Sequence, residues 1–493
     1  MTEPNHKPRV VIIGAGFGGI AAAVELLKRG LDNVVLLEKA GQVGGVWRDN
    51  SYPGCACDVP APLYSYSFAL NPEWSRRFPP HEEILTYVRK TADRFGVTGR
   101  VRFHTEVTDA TWDEAAAKWL ITIAGGEIIE ADVLVPAVGQ LSRPSTPALP
   151  GAARFAGRAV HTAQWSRDIE IDGRRVAVVG TGASAIQLVP AIAGRARQVT
   201  VFQRSAPWTL PKPDRRYGRG RKTAYRKIPQ LMRLPRAGTW AMTIVTGLAV
   251  TGNRPAGAFL RGVSTLQRRW QVRDQALRAR VTPDEPMGCK RVLFTSSWLP
   301  ALAREDVSLV TEKIVEVVPD GIRTADGTVH ACDLLVYATG FAATEFLAPM
   351  RITGRDGRTL DDEWRDGAYA YLGVAVPGFP NLFLIYGPNT NTGNTSVLYF
   401  HEAQARYLAQ LVARIDQEQT PLEVRRERAT TYDEEIQHRL ASSVWTGCQS
   451  WYRTATGRIV TNWPGMAGEY HRRTSRLGDG DYAPITARNE TTQ

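Results

Sequence analysis

The chain is poor in cysteine, with only five in 493 residues. They are too few and too unevenly placed for a disulfide framework, and no pair has the spacing of zinc ligands. The sequence therefore excludes a small disulfide-stapled scaffold, predicts no metal site and favours a reducing, cytoplasmic compartment. The cysteines are Cys55, Cys57, Cys289, Cys332 and Cys448.

Signals for secretion and membrane insertion are equally scarce. The N-terminal segment runs from a short polar tail straight into an apolar strand, so we expect no secretory signal. An uncharged stretch, 237–253, contains three glycines and is shorter than the ~20 apolar residues that a bilayer span needs. We expect a buried or interfacial helix there. A lid helix packed on the core is favoured, and peripheral membrane contact is the alternative.

The chain is long, and its basic residues outnumber its acidic ones. Single hydrophobic cores stop growing at about 250–300 residues, so 493 residues predict two or more domains. A content of 43% hydrophobic and 22% charged residues excludes wholesale disorder. The net charge of +12 suggests nucleic acid, anionic lipid or a phosphorylated cofactor as partner. Because basic residues spread along the chain without a recognised nucleic-acid module, we expect no nucleic-acid partner.

One pattern occurs twice: an apolar run, a glycine-rich turn and an alanine-rich helical segment. The first copy predicts a strand at 10–13 and a helix at 20–28, and the second a strand at 176–179 and a helix at 183–192. This order is typical of Rossmann-like units, in which a dinucleotide's pyrophosphate lies at the helix N-terminus.

The two glycine loops differ in the charge that ends the next strand. Gly14, Gly16 and Gly19 form the first loop, and Glu38 can accept hydrogen bonds from an adenosine ribose. A carboxylate would repel a 2′-phosphate, so we assign FAD to this site. The second loop has Gly180, Gly182 and Ala185, and Arg204 stands where the first unit has Glu38. An arginine can pair with a 2′-phosphate, so we assign NADPH there.

Two nucleotide sites on one chain imply hydride transfer from nicotinamide to flavin. Flavin disulfide reductases pass the electrons to a cysteine pair, but Cys55-Ala-Cys57 has the wrong spacing for the pair of that class. Dioxygen is the remaining common acceptor.

These units predict an α/β fold with two Rossmann-like domains. β-Meanders are expected at 101–139 and 308–341, and a basic, helix-patterned insertion interrupts the second domain. The predicted parts are 1–142 and 375–493 of an FAD-binding domain, 150–210 and 286–345 of an NADPH-binding domain, and the helical insertion 211–285.

Between the domains lies FAGRAVHTAQW, with Phe155, Gly157, His161 and Trp165. This segment resembles the fingerprint of Baeyer-Villiger monooxygenases, Phe-x-Gly-x-x-x-His-x-x-x-Trp followed by Pro or Asp. Ser166 stands at that last position. The resemblance covers nearly the whole chain, through the segments 44–68, 287–291, 337–341 and 381–393.

The resemblance also implies roles for individual residues. Arg291 is expected to be the active-site arginine, Asp58 its carboxylate partner near the flavin, and Lys290 a second ligand of the 2′-phosphate. A guanidinium stays protonated at working pH, so it can stabilise anions without donating a proton. His161 is expected to couple domain movement and not to act as a base. The remaining implied cofactor contacts are Gly45 and Trp47 at the flavin and Trp451 near the nicotinamide.

The family's reaction predicts that FAD reduced by NADPH forms a C4a-peroxyflavin with dioxygen and converts a ketone to an ester or lactone. The identity of the ketone and the oligomeric state are left open. One alternative is a flavin monooxygenase that oxygenates amines or sulfides. A second alternative is not an enzyme but a binding protein that responds to a dinucleotide.

Overall fold

The computed structural model describes residues 7–250, 253–393 and 395–485. The strands are β1 (Val10–Ile13), β2 (Val34–Leu37), β3 (Val101–Arg102), β4 (Val107–Asp113), β5 (Lys118–Ile123), β6 (Ile128–Ala131), β7 (Val133–Pro136), β8 (Arg158–His161), β9 (Arg175–Val179), β10 (Gln198–Phe202), β11 (Thr209–Leu210), β12 (Leu293–Phe294), β13 (Val307–Val310), β14 (Ile314–Val318), β15 (Gly321–Thr324), β16 (Val329–Ala331), β17 (Leu334–Tyr337), β18 (Arg351–Thr353), β19 (Leu422–Val424) and β20 (Tyr482–Pro484). The helices are α1 (Phe17–Lys28), α2 (Val46–Asp49), α3 (His81–Arg94), α4 (Ala185–Ile192), α5 (Arg219–Lys227), α6 (Arg233–Val250), α7 (Arg254–Gln271), α8 (Gln275–Arg280), α9 (Trp298–Leu302), α10 (Leu360–Glu363), α11 (Val397–Glu418), α12 (Arg426–Ala441) and α13 (Ala467–Arg473).

Two parallel sheets form the centres of the two units. The first has the strand order β3-β2-β1-β7, and the second has the order β13-β10-β9-β17-β8. All four residues of β1, of β7 and of β17 are buried, as expected for parallel strands covered on both faces. Helix α11 packs along α1 beside the first sheet. The predicted α/β fold is confirmed.

The predicted meanders are shorter than expected. Strands β3 and β7, at the two ends of 101–139, belong to the first parallel sheet, and the antiparallel part is β4 to β6, with β18 added at its edge. Likewise β13 and β17 join the second sheet and leave β14 to β16 as the meander. The reason is burial: β7, β13 and β17 are almost continuously apolar, whereas the meander strands alternate buried and exposed residues.

The segment NLFLIYG at 381–387, which reads as a strand in the sequence, forms none in the structure. Its backbone runs beside β7, with Phe383 and Ile385 donating to the carbonyls of Leu134 and Pro136. Asn381 and Tyr386 have positive φ values, which interrupt an extended conformation at both ends.

The predicted insertion folds into helices α5 to α8. The uncharged stretch 237–253 forms most of α6 and the start of the turn to α7, and residues 251–252 lie outside the described part of the chain. Within the described ranges, none of the helices combines the length and the apolar character needed to cross a membrane.

Candidate active site

The first glycine loop connects β1 to α1 and requires its glycines for steric reasons. Gly14 has a φ of 101°, and a Cβ on Gly19 would lie 1.9 Å from the Gly14 carbonyl oxygen. Gly16 faces Gly45 at close range, since a Cβ on Gly45 would lie 3.1 Å from the Gly16 Cα. No side chain caps the start of α1 and no acidic residue occupies its first turn. Its N-terminal amides therefore suit a phosphate.

Glu38 is buried behind this loop. One carboxylate oxygen accepts from the Ala15 amide at 2.9 Å, and the other accepts from the Ala40 amide at 3.0 Å and from the Arg48 guanidinium at 2.9 Å. A carboxylate has about four acceptor positions, so one is left for a ribose hydroxyl. Arg48 neutralises the charge, however, which weakens the predicted repulsion of a 2′-phosphate by Glu38.

The second glycine loop is open on the side where a ligand is expected. Gly180 has a φ of 112°, and its missing Cβ would lie 2.5 Å from the Ala338 carbonyl oxygen. A Cβ on Gly182 would meet no atom within 4 Å. Ala185 is the buried first residue of α4. The loop therefore needs glycine at 180 for the fold, and leaves free space at 182.

Two of the predicted phosphate ligands approach each other here. Arg204 is exposed just after β10, and the ammonium group of Lys290 donates to the hydroxyl of the adjacent Ser205 at 2.9 Å. Thr181 of the glycine loop donates to the Ser205 carbonyl at 2.9 Å. Lys290 also pairs with Glu285 at 2.7 Å. The structure thus places both cations beside the second glycine loop.

Arg291 and Asp58 form an ion pair between segments 233 positions apart. Nη2 of Arg291 lies 2.7 and 2.8 Å from the two carboxylate oxygens of Asp58. The arginine side chain is 37% exposed and the aspartate 17%. The charge of Asp58 raises the pKa of the guanidinium above its usual value, so Arg291 stays cationic throughout the accessible pH range.

Two tyrosines belong to this site that the sequence did not single out. Tyr452 is buried and Tyr386 is partly buried, and each is close enough to Arg291 for the cation to lower its phenol pKa. Burial outweighs this effect and raises the pKa of Tyr452 to about 12. Both phenols therefore remain protonated. Tyr386 lies in the 381–393 segment and Tyr452 follows Trp451, but nothing in the sequence indicated that these two rings lie near Arg291.

The tryptophans implied by the resemblance occupy different environments. Trp47, on α2, is buried, and its indole donates to the Tyr64 hydroxyl at 2.9 Å. Trp451 is 37% exposed and packs on Tyr452, with ring centroids 4.2 Å apart. Trp47 thus belongs to the core beside the first glycine loop, and Trp451 is at the surface near the arginine.

The thiols of Cys55 and Cys57 are buried and form no disulfide. Burial raises the pKa of the Cys55 thiol to about 12 and that of Cys57 still further. The thiolate is the form that exchanges electrons with a disulfide or a flavin, so these values disfavour a redox-active pair.

Two of the five cysteines are bonded to each other, although the sequence predicted no disulfide framework. Cys289 and Cys448, 159 positions apart, form a disulfide with their Cα atoms 6.0 Å apart. The bridge joins the segment of Lys290 and Arg291 to the segment of Trp451. Sequence spacing could not reveal it, because only the docking of the C-terminal segment brings the two residues together.

The fingerprint segment lies at the edge of the second sheet. His161 ends β8, pairs in register with Tyr337 of β17 and packs edge-on against Phe341. Its Nδ1 accepts from the Ala163 amide at 3.1 Å, and burial lowers the pKa of the ring. A Cβ on Gly157 would lie 2.5 Å from the Asp333 carbonyl oxygen. The neutral histidine thus packs against the 337–341 segment, and the absent side chain of Gly157 allows close approach to the residue before β17.

Phe155, Trp165 and Ser166 complete the fingerprint. Phe155 packs against the core of the second sheet. The carbonyl of Trp165 accepts from Ser51 at 3.1 Å, which connects the fingerprint to the 44–68 segment. Ser166 accepts from Arg158 at 2.9 Å, and Arg158 also pairs with Asp168 at 2.7 Å. A carboxylate, Asp168, thus lies two residues beyond the position at which the family pattern has Pro or Asp.

A second link between the two units runs through Gln187 on α4. Its side-chain oxygen accepts from the Tyr52 hydroxyl at 3.0 Å, and its amide donates to the Ala56 carbonyl at 2.8 Å. Segment 44–68, which carries Asp58, is therefore held directly by the helix of the second glycine loop.

Comparison with known proteins gives consistent matches along the chain. Residues 11–218 match the model of a family described as pyridine nucleotide-disulphide oxidoreductase. Over 484 residues the chain is 41% identical to a Baeyer-Villiger monooxygenase of Streptomyces coelicolor, a match that covers 97% of this chain and 93% of that protein.

Solved structures agree with the sequence matches. An oxidized steroid monooxygenase bound to NADP superposes with a TM-score of 0.85 at 32% identity, covering 97% of this chain and 99% of the other. A complex of OTEMO with FAD and NADP superposes with a TM-score of 0.87 at 26% identity, covering 98% and 100%.

Proposed function

The chain belongs to the Baeyer-Villiger monooxygenase family, a family of flavin monooxygenases, and on that premise we propose that it converts a ketone to an ester or lactone with NADPH and dioxygen. One oxygen atom of O₂ enters between the carbonyl carbon and the migrating carbon. The other leaves as water, with NADPH as the source of electrons. The observation that carries the proposal is the ion pair of Arg291 and Asp58, which joins the two nucleotide-binding units beside buried aromatic side chains.

The residues of both glycine loops suit the proposed cofactors. FAD, when bound at the first loop and reduced by NADPH, would supply the activation of dioxygen at its C4a position. The uncapped N-terminal amides of α1 would bind its pyrophosphate, and the acceptor of Glu38 remains for the ribose. Binding of NADPH at the second loop would use the open space at Gly182.

Arg204 and Lys290 would recognise the 2′-phosphate that distinguishes NADPH from NADH. Both are cations beside the same loop, and Ser205 connects them through its hydrogen bond with Lys290. Glu285 balances Lys290 in the structure, so we expect Lys290 to turn from this carboxylate to the phosphate on binding.

Arg291 would stabilise negative charge that develops on oxygen during the reaction. Asp58 accepts only from Nη2 of Arg291, so the N–H groups on Nε and Nη1 of the arginine are left for an oxygen anion. A permanently protonated guanidinium can bind this anion without transferring a proton to it. Asp58 acts through Arg291, by holding the orientation of its planar group.

The surroundings of the pair would keep water away from the reacting atoms. Trp47, Tyr64, Tyr386 and Tyr452 are all buried or largely so, and water exclusion strengthens electrostatic interactions in the site. The buried thiols of Cys55 and Cys57 make dioxygen, and not a dithiol, the electron acceptor that this chain's residues suit.

Product analysis tests this function. Purified holoenzyme would be incubated with NADPH, isotopically labelled dioxygen and a panel of cyclic, linear and aryl ketones, with an alkyl aryl sulfide in parallel. We expect NADPH consumption that depends on a ketone and an ester or lactone that carries one labelled oxygen. Formation of sulfoxide with no ester from any ketone would replace the proposal with the alternative of sulfur or nitrogen oxygenation.

A further inference from the structure

Helix α7 of the insertion has its polar and apolar faces the wrong way round for a helix that packs on a core. Ser264, Gln267 and Arg268 are buried against the protein, whereas Phe259, Leu266 and Trp270 point outward and are 64%, 70% and 79% exposed. Helices of globular proteins normally bury the apolar face. We call Phe259, Leu266 and Trp270 the apolar strip.

Specific contacts hold the polar face of α7 in place. The Gln267 amide donates to the Thr295 carbonyl at 2.7 Å, and Arg268 donates to the Ser264 hydroxyl at 2.7 Å. The Arg268 guanidinium also lies 5.1 Å from the centre of the Trp208 ring. Rotating α7 to bury the apolar strip would separate Gln267 from the Thr295 carbonyl and Arg268 from the Trp208 ring, whereas the Arg268–Ser264 bond lies within α7 and would turn with it. The outward direction of the strip is therefore built into the fold.

The apolar strip is continuous and has apolar neighbours. Its members are spaced i, i+7 and i+11, which places them on one side of a helix with 3.6 residues per turn. Helix α6 packs against α7 and exposes Leu234 and Ile244. Both helices thus expose large apolar side chains, and such a concentration of exposed apolar residues indicates an interaction site.

The excess positive charge of the protein lies in this same part of the chain. Residues 215–273 contain fourteen arginines and lysines and no aspartate or glutamate, whereas the rest of the chain has 47 basic and 49 acidic residues. Arg269 is exposed beside the apolar strip, and Arg254 and Arg261 are exposed further around the same helix. Arginine next to exposed Trp, Phe and Leu is the composition of helices that lie in the headgroup region of a bilayer.

We propose that the α6–α7 face of the insertion docks on the surface of an anionic lipid bilayer. The apolar strip would enter the headgroup boundary, and the arginines would bind lipid phosphates. A second copy of the chain fits less well, because a two-fold contact would place this basic region against itself. The three large side chains of the strip favour lipid over the phosphate backbone of a nucleic acid.

The test uses the flavin-loaded full-length protein and co-sedimentation with vesicles. One set contains equal parts of phosphatidylglycerol and phosphatidylcholine, and the other contains phosphatidylcholine alone. We expect binding to the anionic vesicles that weakens at high salt, since salt screens the arginine contribution. The triple variant Phe259→Gln, Leu266→Gln, Trp270→Gln should bind at least about tenfold more weakly.

The chain offers a matched control for this variant. Ile128, Val315 and Val329 are also exposed apolar residues but lie on the meander strands, so Ile128→Thr, Val315→Thr, Val329→Thr should leave vesicle binding unchanged. A second pair of triple variants tests the charges. Vesicle binding should weaken in the variant of α7, Arg254→Gln, Arg261→Gln, Arg269→Gln. It should not change in a control variant with the same net charge, Arg29→Gln, Arg197→Gln, Arg472→Gln. Retained flavin and unchanged NADPH oxidation with a water-soluble ketone show that each variant folds.

Three results would overturn the proposal. The first is no sedimentation of the wild type with anionic vesicles. The second is an equal loss of binding in the meander controls. The third is a concentration-dependent dimer that the apolar-strip variant makes monomeric, which would assign the face to a second copy of the chain. Because the readout is binding, failure here leaves the proposed oxygenation unaffected.

Discussion

Replacing Arg291 by alanine should separate flavin reduction from oxygen insertion. The guanidinium is held by Asp58 at 2.7 and 2.8 Å and lies apart from both glycine loops in the sequence. We therefore expect the Arg291→Ala variant to keep its FAD and to be reduced by NADPH under anaerobic conditions at nearly the wild-type rate. Ester formation should collapse.

The size of the effect follows from the donors that are lost. Removing one preorganised donor from a developing oxygen anion costs about 10²–10³ in rate, or roughly 3–4 kcal/mol. Arg291 also contributes its full charge, and its removal leaves the largely buried Asp58 carboxylate unpaired beside the site. We expect ester formation to fall by at least about 10³-fold, with NADPH oxidation diverted to hydrogen peroxide.

The assay measures three quantities on one preparation: anaerobic flavin bleaching, ester by gas chromatography and hydrogen peroxide by a coupled peroxidase assay. Arg291→Lys keeps the cation but loses the planar fork, so its ester yield should lie between those of wild type and alanine. If Asp58 acts only by positioning Arg291, Asp58→Asn should reduce ester formation in the wild type but add nothing in the Arg291→Ala background. An unchanged ratio of ester to NADPH consumed in Arg291→Ala would refute this role for the arginine.

Four further changes have defined outcomes. Arg204→Ala should raise the KM for NADPH roughly tenfold to a hundredfold, because a charged hydrogen bond is worth about 1.5–3 kcal/mol. The KM for NADH and the FAD content should be unchanged. An equal rise of the KM for both nucleotides would contradict the assignment of Arg204 to the 2′-phosphate. Gly182→Ala meets no protein atom within 4 Å, so thermal unfolding should be unaffected while NADPH binds more weakly. Cys448→Ser opens a loop closed across 159 positions and should lower the free energy of unfolding by about 5 kcal/mol in denaturant titration, as should treatment with a dithiol reductant. Burial lowers the pKa of His401 from 6.5 to about 4, so the unfolded chain binds this proton at a higher pH than the folded protein does. The free energy of unfolding should therefore decrease by about 1.4 kcal/mol for each pH unit as the pH falls between these two values. His401→Phe should remove about 3 kcal/mol of this acid sensitivity, and an unchanged dependence of stability on pH would contradict it.

Local patterns explain why the glycine loops could be read from the sequence. A tight strand-to-helix turn requires glycine at Gly14, Gly19 and Gly180. At each position a side chain would clash with backbone atoms, either a few residues away or at the end of the neighbouring strand. The buried strands could be predicted as well, although the sheet to which each belongs could not. Strand β7 reads like the last strand of a meander, and its parallel pairing with β1 depends on a neighbour more than a hundred residues away.

The α/β class, the two glycine-rich strand-to-helix turns and the family could be predicted from the sequence, because periodicity and short motifs are local properties of the chain. The family resemblance implied the pairing of Asp58 with Arg291, but only the folded structure brings Tyr386 and Tyr452 near Arg291 and bonds Cys289 to Cys448. Tertiary structure also decided that α7 turns its apolar side outward, since the partners of Gln267 and Arg268 lie on other elements. Such contacts join residues far apart in the chain, and they exist only once the two units and the insertion have packed together.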